Sequence, residues 1–180
     1  MTKDNFFVLT GGPGMGKTSV IAALQEQGYL TVSESGREII RQQVATGGTA
    51  IPWQDRQAFA QLMFDQSIRD FEQLSVQTEP VFFDRGIADT IGYLELCGLP
   101  VPDFMCQAAH RYRYNNRVFI TPPWKHIYTG DTERKQSFEE AAATYEMMAK
   151  VYQQLGYTLV RLPLDTVAAR AAFLSEFLTY

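Results

Sequence analysis

Gly11-Gly12-Pro13-Gly14-Met15-Gly16-Lys17-Thr18 is the stretch of this chain whose residue types and spacing can do chemistry. It fits the pattern G-x-x-x-x-G-K-[ST], and the chemistry is the holding of a phosphate chain. Glycines let the backbone approach an anion and adopt conformations closed to residues with a β-carbon. Successive N–H groups and the start of a helix then face the negative charge. In this pattern Lys17 places an ammonium on the β- and γ-phosphates, the Thr18 hydroxyl is a magnesium ligand, and Ser19 continues the same turn. The implied ligands are a nucleoside triphosphate, ATP foremost, and Mg²⁺. A glycine-rich turn without a ligand would explain neither the lysine nor the threonine. Asn-Lys-x-Asp, an element that would select guanine, occurs nowhere in the chain.

Val81-Phe82-Phe83-Asp84-Arg85-Gly86 is the second candidate. An apolar strand ending in an aspartate puts a carboxylate at the sheet's C-terminal edge, where a magnesium-associated Walker B acid belongs. Alone, an aspartate after a strand is as readily a turn or cap residue; beside the phosphate loop, Asp84 reads as a metal ligand. A second acid at the next position would suggest an ATPase that polarises water. Arg85 stands there instead, a cation suited to a phosphoryl group in transfer.

These residues need a frame. Residues 6–10 read as a buried strand ending at glycines, and residues 17–27 as a helix closed by Gly28. Further strands are expected over 29–33, 81–84, 118–120 and 158–162. Helices are expected over 37–46, 54–77, 89–96, 103–113 and 137–155, with a last helix capped by Asp165. Ser137-Phe138-Glu139-Glu140 has the form of a capping box. Strands alternate with helices from end to end. That predicts an α/β fold with βαβ crossovers and a parallel sheet covered on both faces, within one domain over 1–180.

The ordered motifs resemble those of a P-loop family, the small NadR-like "AAA-domain" proteins related to nucleoside and nucleotide kinases. The resemblance rests on the glycine loop, Glu34 followed by Arg37, Asp84-Arg85-Gly86, Pro122-Pro123-Trp124, then Asp131 and Arg134 before the helix from Ser137. It implies a three-layer α/β/α P-loop NTPase fold with five parallel strands in the kinase-like order 2-3-1-4-5. In such a sheet, ligands collect beyond the carboxyl ends of the strands. By similarity to deoxynucleoside kinases, Glu34 would hold or deprotonate an acceptor hydroxyl; the alternative is a carboxylate favoured by a helix N-terminus. Arg37 would pair with Glu34 or contact phosphate, and Asp89 would reach the acceptor or serve as a surface cap. The segment 121–136 would be a lid, with Arg134 acting as an arginine finger in cis. Trp124 would pack under it or stack on a base.

The same edge criterion demotes Arg111, Tyr112, Arg113, Tyr114 and Arg117. They look like an aromatic and basic patch for nucleic acid but precede a strand, so they belong at the opposite edge. The net charge of −4 offers no basic face for nucleic acid either. Cys97 and Cys106 have no metal or redox spacing, and no segment has the apolar length to span a bilayer. A cytoplasmic protein is expected, with a protein partner or a homodimer compatible with the sequence. The resulting expectation is a Mg-ATP-dependent phosphotransferase acting on a nucleoside-like or other small hydroxylated acceptor. Its catalytic residues would be Lys17, Glu34, Asp84, Arg85 and Arg134. The rivals are a regulatory ATPase with no small acceptor and a non-catalytic ATP-binding module.

Overall fold

A computed structural model describes residues 1–128 and 137–179. The order of elements is β1 (Phe6–Gly11), α1 (Lys17–Glu26), β2 (Leu30–Val32), α2 (Ser35–Thr46), α3 (Arg56–Gln73), β3 (Val81–Asp84), α4 (Ile87–Leu96), α5 (Asp103–Arg111), β4 (Arg117–Thr121), α6 (Phe138–Gln154), β5 (Thr158–Arg161) and α7 (Val167–Glu176), followed by a short 3-10 turn. The five strands form one sheet in the order β2-β3-β1-β4-β5. Every pairing is parallel. This is the fold and the strand order expected above.

The central strands are apolar on both sides because both faces of the sheet are covered. Phe6, Val8, Val81, Phe83 and Val118 face the layer holding α3, α4, α5 and α6. Phe7, Leu9, Phe82 and Phe119 face α1 and α7, through Val20, Ile21, Leu24, Ala171 and Leu174. Aromatic rings knit the first face: Phe6 meets Phe71 edge-on at 5.1 Å between centroids, and Phe83 meets Tyr114 at 5.2 Å. A smaller cluster of Ile39, Ile40, Ile51 and Phe59 joins α2 to α3.

Element ends follow local capping chemistry. α3 begins two residues later than the expected start at residue 54, because the Asp55 carboxylate accepts the Ala58 N–H at 2.9 Å and fixes the first turn. The capping box at Ser137 is present: Ser137 Oγ accepts from the Glu140 N–H at 3.2 Å, and the Glu140 carboxylate accepts from the Ser137 N–H at 2.6 Å. One cap is corrected. Thr166, not Asp165, caps α7, its Oγ1 accepting the Ala169 N–H at 3.2 Å. The Asp165 carboxylate instead accepts the N–H of Thr166 at 2.6 Å.

Strand register brings the site together. Leu9 stands opposite Asp84, and Gly11 opposite Thr121, so β1, β3 and β4 end side by side at one edge. The Arg111–Arg117 region lies at the other edge, where the Lys3 N–H donates to the Arg113 carbonyl at 2.8 Å. There Arg113 covers the Tyr157 ring at 3.7 Å and donates to the Leu155 carbonyl at 2.8 Å. Tyr112 and Tyr114 are buried in the core rather than displayed. No helix of the described residues is long and apolar enough to cross a membrane.

Candidate functional site

The glycine loop leaves β1 and turns into α1 under tight packing from two other elements. A β-carbon on Gly12 would stand 2.2 Å from the Ala141 carbonyl oxygen, so α6 presses directly on the loop. Gly16 has φ of +78°, and a β-carbon there would stand 2.8 Å from Arg170 Nη1. The Met15 side chain is fully buried, and its sulfur accepts the Trp124 N–H at 3.2 Å. Of Met15, the backbone N–H is thus the group with phosphate-binding chemistry. Lys17 is buried, with Nζ donating to the Gly12 carbonyl at 2.7 Å. Burial foremost, and the nearby Arg85 charge, lower its pKa to about 8. Thr18 and Ser19 are exposed and line a cavity of about 630 Å³ over the loop, together with Gly14, Trp124, Ile127 and residues 164–167.

Asp84 and Arg85 close β3. Asp84 is buried, and its Oδ1 has no hydrogen-bond partner among the described residues. Burial pushes its carboxyl up to about 6, against the opposing pull of Lys17. An orphaned, desolvated carboxylate beside the phosphate loop fits a hard divalent cation, with the Thr18 hydroxyl as a further oxygen donor. Among the described residues no larger cluster of His, Cys, Asp or Glu could hold a metal. Arg85 has φ of +78°, the one non-glycine residue of the described chain in the left-handed region. Its guanidinium is held on three sides: Nε donates to Glu34 at 3.1 Å, and Nη1 donates to the Gly11 carbonyl at 3.1 Å and to Asp89 at 3.0 Å. Burial opposes its charge, but Glu34, Asp89 and Asp84 outweigh burial and hold its pKa above the ordinary arginine value.

Glu34 is the N-cap residue of α2, and Arg37 Nε lies 4.0 Å from its other carboxylate oxygen. Asp89 borders the second of the two cavities over the sheet edge. It is buried and accepts from four internal donors: Arg85 Nη1, Thr10 Oγ1 at 2.5 Å, the Gly86 N–H at 2.8 Å and the Tyr152 hydroxyl at 2.7 Å. It caps α4 from inside the protein, so the surface cap expected of it is corrected to a buried one: its other donors, on β1 and α6, enclose it. Arg134, with Asp131 and Lys135, lies outside the described residues.

A second cavity, of about 530 Å³, adjoins the first. Glu34, Arg85 and Arg56 give it charge, while Phe59, Met63, Tyr93 and Leu96 give it an apolar wall. Pro13 and Glu34 line both cavities, so the two meet at the crest of the loop. Sequence reasoning missed Arg56, Trp53 and Arg170. Arg170 had a signal: it interrupts the small-residue run Val167-Ala168-Ala169-Arg170-Ala171-Ala172, one position before the buried Ala171.

Comparison with known proteins agrees with this fold. A family model described as "AAA domain" matches residues 6–170. Deoxyadenosine kinase from M. mycoides superposes with a TM-score of 0.68 at 12% identity, covering 97% of this chain and 98% of its own. Thymidylate kinase from Ehrlichia chaffeensis gives 0.66 at 15% identity, covering 96% and 97%. NadR in complex with NR gives 0.71 at 18% identity, covering 95% of this chain but 50% of that one. No curated protein matches significantly in sequence. The chain therefore belongs to the "AAA domain" family of residues 6–170, built on a kinase-like P-loop fold.

Proposed function

We propose that this protein is a phosphotransferase that binds Mg-ATP over the glycine loop and passes the γ-phosphoryl group to a hydroxyl of a small molecule in the adjoining cavity. The observation that carries this reading is the meeting of the two cavities at Pro13 and Glu34. A nucleotide held by the loop would present its terminal phosphate where the second cavity begins. A regulatory ATPase needs no such adjoining compartment.

The backbone N–H groups of Gly12, Gly14, Met15 and Gly16 cradle the phosphates, with Lys17 on the β- and γ-groups and Thr18 and Ser19 at the helix start. Magnesium, held by Thr18 and Asp84, supplies charge neutralisation on the phosphate oxygens when bound. The acceptor hydroxyl oxygen attacks the γ-phosphorus in line, and the bond to the ADP oxygen breaks. Glu34 takes the hydroxyl proton or orients that hydroxyl, and the proton leaves to solvent. Arg85 stabilises the phosphoryl charge and fixes Glu34 through its Nε contact of 3.1 Å. Arg37 borders the donor cavity near Glu34. Asp89, with its four internal donors, serves substrate binding by holding Arg85 in place. The apolar wall of the acceptor cavity favours a compound carrying a ring or another apolar portion beside its hydroxyl, as nucleosides do.

The test is ATP consumption by the purified protein with a panel of nucleosides, nucleotides and sugars, repeated with Glu34→Gln. One acceptor class should raise turnover well above the background rate. Glu34→Gln should then cut acceptor phosphorylation by roughly 10²–10⁴-fold while ATP still binds. ATP turnover indifferent to every acceptor would instead establish the regulatory ATPase.

A further inference from the structure

Arg170 carries a charge that the proposed phosphoryl transfer leaves unexplained. It lies on α7, is 2% exposed, and heads the fully buried side chains by size. None of the ion pairs among the described residues includes it. Its Nη2 donates to the Met15 carbonyl at 3.1 Å, and its Nε has no hydrogen-bond partner among the described residues. Its Nη1 stands 2.8 Å from the point that a β-carbon on Gly16 would occupy. The residue also lines the cavity over the glycine loop.

Stripping a guanidinium of water costs far more than one bond to a neutral carbonyl returns, so buried arginines are ordinarily matched by an acid. Burial alone weakens the charged form here, and among the described residues no neighbouring carboxylate offsets it. A strut to the Met15 carbonyl needs a donor, not a charge. What a positive charge adds at this place is attraction for an anion held by the loop. The loop and the arginine are also one steric unit, since Gly16 leaves free the volume that Nη1 approaches.

We infer that Arg170 is a positioning residue of the donor site: it holds the Met15–Gly16 turn by its carbonyl, and a bound triphosphate is the anion that matches its charge. The last helix is therefore part of the nucleotide site although it contributes nothing to the glycine motif. This rests on the reading of the loop as a triphosphate cradle, not on the identity of the acceptor.

Thermal unfolding and Mg-ATP titration of the full chain test it, with wild type, Arg170→Met, Arg170→Gln and Arg170→Lys. Without nucleotide, Arg170→Met should unfold at the wild-type temperature or above, because an unmatched buried charge has been removed. Its Kd for Mg-ATP should rise about tenfold or more. Arg170→Gln, which keeps a donor and loses the charge, should bind as weakly as Arg170→Met, and Arg170→Lys should recover much of the affinity. Wild-type affinity in Arg170→Gln overturns the charge role, whether or not Arg170→Met folds. A lowered unfolding temperature in Arg170→Met with unchanged affinity makes Arg170 a core strut and overturns the proposal. A wild-type protein that does not bind Mg-ATP overturns the donor-site reading itself, and this inference with it.

Discussion

Asp84 and Lys17 are two charges buried at the mouth of one loop, and their titration gives the site its pH signature. The Asp84 carboxyl is pushed by burial from 3.8 to about 6. Its folded pKa thus lies above the unfolded one, so its contribution favours folding below about 4 and is lost as pH rises through about 6. Lys17 is lowered from 10.5 to about 8, so in its case stability increases as pH climbs from about 8 toward 10.5. Between those windows both groups are charged at a cost to stability. Asp84→Asn should therefore raise the free protein's unfolding free energy by on the order of 1–2 kcal/mol near pH 7. That is a few degrees in Tm for a chain of this size. The same variant should lose most magnesium-dependent ATP turnover, measured with and without Mg²⁺. Lys17 gives a separate expectation. Phosphates favour its ammonium, so Mg-ATP binding near pH 8 should draw a proton from solution. Titration calorimetry in buffers of different ionisation enthalpy reads that uptake, and none at pH 8 would contradict the burial of Lys17. The left-handed backbone at Arg85 is the other residue-scale feature that no motif pattern disclosed.

Elements set how tightly the loop is held. α6 meets the loop backbone to backbone, with the Ala141 carbonyl 2.2 Å from the place of a Gly12 β-carbon. Neither partner is a flexible side chain, so Gly12→Ala must displace the loop or the helix. A displacement near 1 Å at a reacting group costs about 10²-fold, and Mg-ATP turnover should fall by about that much or more. Asp55→Ala is the contrasting variant. It removes the cap on α3 and should cost about 1 kcal/mol in urea unfolding. ATP affinity should stay at the wild-type value, because α3 lines the acceptor cavity and not the donor cavity. The caps at Asp55 and Thr166 are a residue from where the sequence pattern put the helix start or its cap. Neighbouring Asp and Thr residues compete for such positions, and the chain direction out of the preceding turn decides among them.

At the scale of the molecule, two cavities share one crest, and each is walled by elements far apart in sequence. The proposed donor side draws on the glycine loop, residues 164–167 and α7; the proposed acceptor side draws on α2, α3, α4 and α6. Hydrogen exchange should separate them. Mg-ATP should slow exchange in α1 and around the start of α7. An acceptor found by the turnover panel should slow it at the starts of α3 and α4. Protection by both ligands of the same segments alone would count against two compartments.

The sequence by itself determined the glycine loop, the strand ending at Asp84, and the alternation of strands and helices. These are local matters: glycine spacing, apolar runs and capping residues act over a few positions. Glu34 could be placed past β2 from sequence, but its contact with Arg85 spans 51 residues and exists only when β2 and β3 pair. Tertiary structure alone decided that Asp89 turns inward to four donors and that Asp84 Oδ1 is left without a hydrogen bond among the described residues. It alone brought Arg170 from α7, 155 residues along the chain, to the carbonyl of Met15. The partner of a buried polar group is set by which elements the sheet order makes neighbours, and no local pattern encodes that.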